Sequence, residues 1–366
     1  MTQSTIPLVK VGMPASDVLM PALERTLYGG MLAEGEQVYE FERRCTTAFG
    51  LPHVLAMSSG TGALHASLYF AGVRPGDEVI STPITAEPTN VAVLHVGGTV
   101  VWSDVDPRSG NADPAAIERA ITPRTKAILI VHYAGYPVDM EGVMAVSHRH
   151  GIPVIEDCAH AIGARSAGKP VGTHGDFAIF SFQAIKHMTT VDGGLLAFRD
   201  SSLQDNIKRF RWFGMDKGVA RTSLDVSSVG WKYNMNNVTA TIGLCQLDAI
   251  GERVAAHIDN GNHYDSAFAG MRHVAPAHFL GYDQPSYWLY TLLCDDSDAV
   301  EKALQAGGIT ASKLHRRNDL HSLFASSRHP LPGADEFARR YLHLPAGWWV
   351  TPEDRDRIVT IVERAA

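Results

Sequence analysis

Residues 181–194 read SFQAIKHMTTVDGG, and the reading of this stretch decides the fold. The apolar run FAIFSF (177–182) leads into it, a lysine follows at position 186, and the pair Gly193–Gly194 opens a second apolar run, GLLAF (194–198). A lysine is ordinarily a solvated surface charge. Lys186 instead lies in a short turn between two strands that read as buried, where an amine could act as a nucleophile at the edge of a sheet.

Upstream, five further apolar runs alternate with helical patterns: HVLAMS (53–58), DEVIST (77–82), TVVWSDV (99–105), AILIVHY (127–133) and IPVIED (152–157). Seven such runs with intervening helices predict one large α/β domain with a mostly parallel, seven-stranded sheet. In the segment 113–121, Asp113 is placed to cap a helix with Pro114 at its first position, and Gly151 closes the helical pattern of 140–150. Residues 238–271 read as one long helical stretch, and from about Pro276 the pattern changes to separated strands and short helices. With 366 residues, more than one core usually holds, the chain is expected to divide into a large domain with an N-terminal arm (1–250) and a smaller C-terminal α/β domain (251–366).

Composition narrows the function classes. The chain is 45% hydrophobic and 19% charged, and no apolar run approaches the roughly 18 residues that span a bilayer. A net charge of −7 with scattered basic residues lacks the footprint of a nucleic-acid binder. The opening MTQSTIPLVKVGMPASD has no basic region followed by a long apolar core, so a cytoplasmic location is expected. Cys45, Cys158, Cys245 and Cys294 lie far apart without C-x-x-C spacing, which argues against a zinc site or a disulfide framework; no metal is expected, and all four are expected to be small buried apolar residues.

Three elements surround the lysine. In MSSGTGALHASLYFAG (57–72), Ser58 to Gly62 form a small-residue turn before a helix read from Ala63 onward, with Leu64 and Leu68 on one face. Backbone N–H groups there can approach a phosphate closely, and the helix N-terminus adds free donors. In IPVIEDCAHAIGA (152–164), Asp157 stands at the carboxyl end of a strand, where open α/β sheets bind ligands, and His160 would face the same pocket if a helix began at Asp157. Ser181 adds a hydroxyl at the end of the strand before Lys186. A phosphate cradle, a strand-end carboxylate and a strand-end amine suit one cofactor, pyridoxal 5′-phosphate. Its aldehyde takes an amine, its ring nitrogen a carboxylate and its phosphate a set of donors.

These blocks resemble the DegT/DnrJ/StrS family of sugar aminotransferases, within the fold-type I pyridoxal phosphate enzymes. The resemblance runs from YGGMLAEGEQVYEFE (28–42) through SSGTGALHASL (58–68), EDCAHAIGA (156–164), the lysine block and GWKYNMNNVTATIGLCQL (230–247) to YLHLPAGWWVTPED (341–354). It implies that Lys186 bonds the cofactor, that Asp157 pairs with the ring nitrogen, that His160 sits by the ring hydroxyl, and that Gly60, Thr61 and Ser181 hold the phosphate. It also implies a homodimer with shared active sites. Lys232 stands where many relatives place an asparagine that reaches the neighbouring subunit's cofactor, and Ala86 where they place an aromatic residue that stacks on the ring. The implied reaction moves an amino group from L-glutamate to a nucleotide-linked keto-sugar, with Lys186 as the base once it is released. His315, Arg316, Arg317 and His321, in the polar stretch ASKLHRRNDLHSLF (311–324), are candidates to contact acceptor or donor. Dehydratases of the same family carry histidine at the lysine position; here that position is Lys186, with His187 beside it. A non-catalytic regulatory member and a cofactor-free Schiff-base aldolase are the other readings. The aldolase gives no reason for the cradle or for Asp157.

Overall fold

The computed structural model describes residues 5–366. The first four residues, part of the opening stretch MTQSTIPLVKVGMPASD, lie outside the described residues. In chain order the helices of the first part are α1 (Ser16–Tyr28), α2 (Glu36–Phe49), α3 (Gly60–Phe70), α4 (Glu87–His95), α5 (Pro114–Ala120), α6 (Met140–His150), α7 (Gln204–Phe210) and α8 (Asn237–Leu247). The strands between them are β1 (His53–Met57), β2 (Glu78–Ser81), β3 (Thr99–Trp102), β4 (Thr125–Val131), β5 (Val154–Asp157), the short hairpin β6 (Arg165–Ser166) and β7 (Lys169–Pro170), β8 (Phe177–Ser181) and β9 (Gly194–Phe198).

The seven apolar runs are the seven strands of one sheet, in the order β1-β9-β8-β5-β4-β2-β3. Only β9 runs against its neighbours, β1 and β8. Because both faces are covered, these strands read as continuous apolar runs rather than alternating ones. In β4, Ala127 and Leu129 enter the core on one face while Ile128 and Ile130 enter the core on the other. Leu129 is 1% exposed, so Leu129→Ala would cost about 2–5 kcal/mol through lost burial and the cavity left behind. The helix ends follow the predicted chemistry: Asp113 caps α5 by accepting from the Ala115 N–H, and Gly151 closes α6 in the left-handed conformation at φ 63°.

Two local expectations are corrected. The helical stretch 238–271 is two helices, α8 and α9 (Ile250–Phe268), broken at Asp248–Ala249. Both junction residues keep right-handed helical dihedrals, so the periodicity carries on across the break. Cys45, Cys158 and Cys294 are buried, but Cys245 is only half-buried.

Beyond α9, β10 (Val274–Pro276), β11 (Tyr290–Cys294) and β12 (Tyr341–Leu344) form an antiparallel sheet, with α10 (Ser297–Ala306), α11 (Pro332–Arg340) and α12 (Pro352–Ala365). Among the described residues, no helix is long and apolar enough to cross a membrane.

Candidate active site

Strand register brings the sequence blocks together. Met57 of β1 and Ser181 of β8 both pair with Gly194 of β9, so the last residues of two strands and the first of a third share one row at the sheet edge. Asp157 pairs with Ile179, two residues before Ser181 on the adjacent strand. Two glycines of these blocks, Gly194 and Gly60, now have a steric reason. A Cβ on Gly194 would lie 2.5 Å from the carbonyl of Ser59, and one on Gly60 would lie 3.0 Å from Ser181 Cβ.

α3 begins at Gly60, three residues earlier than its sequence suggested. Ser59 caps it, its hydroxyl accepting from the Gly62 N–H at 3.0 Å. This cap offsets the poor helix propensity of Gly60 and Gly62 and turns the glycines into the first turn of the helix. Among the described residues, no protein acceptor takes the N–H groups of Gly60 or Thr61. The helix end therefore presents free donors and a positive partial charge beside Ser181.

Asp157 is 2% exposed, and each of its oxygens accepts one hydrogen bond. One oxygen accepts from the Ala159 N–H at 3.0 Å and the other from Thr89 Oγ1 at 2.8 Å. Thr89 stands in the first turns of α4, and its hydroxyl also lies 3.0 Å from that of Thr85. Burial pushes the Asp157 carboxyl above the usual range, against the pull of Ala159, Thr89 and Lys186. The preceding carboxylate, Glu156, goes the other way: burial raises it, but bonds from His132 and the N–H groups of Gly175 and Gly172 outweigh that and leave it below its ordinary value. Glu156 with His132 and Cys158 forms a buried cluster. His132, Gly172, His174 and Gly175 supply the donors to its carboxylate, so the cluster acts as a clamp under β5.

No helix follows Asp157, because residues 158–164 run through successive turns. His160 nevertheless arrives in the site by a different route. Its ring stacks on Trp288 at 4.0 Å with planes 14° apart, and its Nδ1 is buried without a protein partner. Burial, with Lys186 next, depresses its pKa well below the ordinary histidine value, so the ring is neutral.

Lys186 is half-buried in the turn between β8 and β9, its N–H bonded to the Gln183 carbonyl at 3.0 Å. Its Nζ lies 4.1 Å from the centre of the Trp288 ring. Burial pushes its pKa down to about 8, partly countered by the negative charge of Asp157. His187 is buried and points elsewhere, its Nε2 3.0 Å from the Ser286 carbonyl.

The remaining sequence candidates divide. His315 joins the cluster, its ring 6.3 Å from that of His160 with planes 14° apart and its Nε2 buried without a partner. His321 faces the first residue of α4, its Nε2 3.4 Å from Glu87 Oε1. Arg316 is exposed. Arg317 is committed to Asp319 and Asp335 rather than left free for a substrate. Lys232 is exposed rather than gathered with Lys186, bonding Asn234 Oδ1 at 2.6 Å and lying 4.3 Å from the Trp212 ring centre. Ala86 is half-buried as the residue before α4. Sequence reading missed Thr89 and Trp288. The Thr85/Thr89 spacing of one helical turn was the only available signal, and a weak one.

The residues present fit pyridoxal phosphate: free N–H donors beside a serine, a buried carboxylate, an unpartnered buried imidazole nitrogen and an amine whose pKa burial lowers to about 8. A seven-stranded, mostly parallel sheet that carries this set at the strand ends defines a fold-type I pyridoxal phosphate enzyme. The chain belongs to the DegT/DnrJ/EryC1/StrS aminotransferase family, whose profile matches residues 16–363. It is 33% identical over 373 residues to the GDP-perosamine synthase of Caulobacter vibrioides, covering 99% of each chain. Its fold is similar to that of the sugar aminotransferase CalS13 from Micromonospora echinospora, with a TM-score of 0.95 at 37% identity over 99% of this chain and 100% of that one. It also resembles the PLP form of the putative sugar aminotransferase Spr1654 from Streptococcus pneumoniae, with a TM-score of 0.88 at 26% identity over 98% and 99% of the two chains. The protein is a pyridoxal phosphate-dependent sugar aminotransferase.

Proposed function

We propose that the enzyme transfers the amino group of L-glutamate to the ketone of a nucleotide-linked sugar. The observation that carries this reading is the meeting of a low-pKa lysine and a buried, donor-bound aspartate at one sheet edge, beside the free helix end of α3. Pyridoxal phosphate, when bound, supplies an aldehyde for the amine and a ring that accepts electrons from the carbon losing its proton. Lys186 would bond it, Asp157 would hold its ring nitrogen protonated, and Gly60, Thr61 and Ser181 would hold its phosphate. His160 would take the ring hydroxyl. Once released, Lys186 Nζ takes the proton from the α carbon of the donor. With a pKa near 8, a useful fraction of the amine is neutral at physiological pH, which suits a general base.

We also read the chain as two units, 1–250 and 251–366, with the site drawing on both. His315 and Trp288 belong to the second. A homodimer with shared sites is supported by the exposed apolar side chains of α1 and the loop after it, among them Leu27, Tyr28, Met31 and Leu32, and by the exposed Lys232 amine, suited to a partner's phosphate. Four unpaired cysteines favour the reducing cytoplasm.

The test is incubation with ¹⁵N-labelled L-glutamate and a panel of nucleotide keto-sugars, read by mass spectrometry. The expected result is an ¹⁵N-containing sugar nucleotide together with 2-oxoglutarate. Consumption of a keto-sugar by loss of a hydroxyl, without nitrogen uptake, would favour the dehydratase reading instead.

A further inference from the structure

Trp288 touches the lysine site at three points. Its indole N–H donates to the carbonyl of Ile185, the residue before the lysine, at 2.9 Å. Its ring face lies 4.1 Å from Lys186 Nζ, and His160 stacks on it at 4.0 Å. The residue is itself 2% exposed and held from several sides. The Ser286 N–H bonds the Gly135 carbonyl at 2.9 Å, and the Leu289 N–H bonds the Ala134 carbonyl at 3.2 Å. His187 and His257 meet the carbonyls of Ser286 and Tyr287 at 3.0 and 2.8 Å. Gly135, at φ 96°, admits this segment, since a Cβ there would lie 2.8 Å from the Trp288 nitrogen. The segment leads into β11, so the second sheet delivers an aromatic face to the catalytic lysine of the first.

We propose that Trp288 is the resting platform of Lys186: a positioning residue whose π face holds the free ammonium, while its N–H fixes the turn that carries the lysine. This rests on the reading of Lys186 as the cofactor-bearing amine. The amine is alternately bonded and free during turnover, and between those states it needs a place that neither exposes it to water nor consumes it in an ion pair. An aromatic face attracts the cation without accepting its proton. Other groups also act on this amine. Asp157 at the end of β5 favours the cation, while His160 in the following turn, His187 along the lysine loop and His315 from the second unit are neutral rings pushed down by burial. Of the Trp, Tyr and Phe rings among the described residues, Trp288 is the one within cation–π range of Nζ.

The test uses full-length protein in which the Lys186 amine is free, either carrying no cofactor or with its cofactor converted to the amine form by excess L-glutamate. The pH dependence of Lys186 acylation by a small amine-reactive reagent is read by peptide mapping. Removing the π face in Trp288→Leu should lower the inflection by about 0.5 to 1.5 pH units, and Trp288→Phe should restore most of it. Biosynthetic replacement of tryptophan by a multiply fluorinated analogue keeps the shape and the N–H but drains the ring of π density. It should lower the inflection in the same direction even if Trp288→Leu does not fold. An inflection unchanged in folded Trp288→Leu, or in the fluorinated protein, overturns the proposal. Protein lacking cofactor reports on the platform whether or not amino transfer is observed, so its failure is separable from failure of the proposed reaction.

Discussion

Thr89 carries the sharpest consequence of the site geometry. Its hydroxyl donates 2.8 Å to an oxygen of Asp157, a carboxylate that burial already drives toward its neutral form. Thr89→Val keeps the shape and deletes this donor. A hydrogen bond to a charged group contributes about 1.5–3 kcal/mol, and the loss falls on the ionised carboxylate that would pair with the cofactor's ring nitrogen. Cofactor affinity is therefore expected to fall by about 10- to 150-fold. Thr89→Ser, which keeps the hydroxyl, should stay close to wild type. The assay is titration of cofactor-free protein with pyridoxal phosphate, followed by visible absorbance, for all three proteins. A Thr89→Val affinity within twofold of wild type would refute the argument that this bond holds Asp157 in its working charge state. A Thr89→Ser loss equal to that of Val would show that packing, not the donor, was being measured.

Two further outcomes follow from buried charge. Because the Asp157 pKa is raised on folding, the folded protein binds its proton more tightly than the unfolded chain; the associated stability is complete below the unfolded value near 3.8 and is lost as pH rises through the folded value. In cofactor-free protein, Asp157→Asn should therefore raise the melting temperature at pH 7, and its advantage should shrink as pH falls toward 4; a gap that does not depend on pH would contradict this. The second concerns Arg211, 1% exposed, which bonds Glu42 at 2.6 Å, Glu34 at 2.9 Å and the carbonyl of Ala56, one residue before the end of β1, at 2.6 Å. Lys217 Nζ also bonds Glu34 Oε2, at 2.6 Å. Arg211→Met leaves two half-buried carboxylates short of a buried cation and should cost up to about 3–5 kcal/mol in urea unfolding, whereas a loss under about 1 kcal/mol would show that Lys217 compensates.

How far the site could be read in advance depended on how local its causes are. The seven strands were legible because sheet burial on both faces writes itself into every residue of the run, as in β4 and β9. Asp157, Lys186, Ser181 and the α3 cradle were legible because each sits at a strand end next to its own turn residues. Thr89 was not: its partner is 68 positions away, and a threonine in a first helical turn has many ordinary roles. Trp288 meets Ile185 across 103 positions and from the segment leading into β11, so only the assembled chain shows why it is there. Arg317 misled for the opposite reason. A basic run looks substrate-facing until the fold brings Asp319 and Asp335 onto it. His160 was expected for the wrong geometric reason, since its place comes from stacking on Trp288 and not from a helix.

The central claim is that Lys186 carries the cofactor and surrenders it to an amino donor. Borohydride reduction of the purified enzyme, with and without prior exposure to L-glutamate, followed by peptide mapping, tests both halves at once. The account predicts a reduced cofactor adduct on Lys186 without glutamate and its loss after glutamate. An adduct on another lysine, or one on Lys186 that glutamate never diminishes, would contradict it.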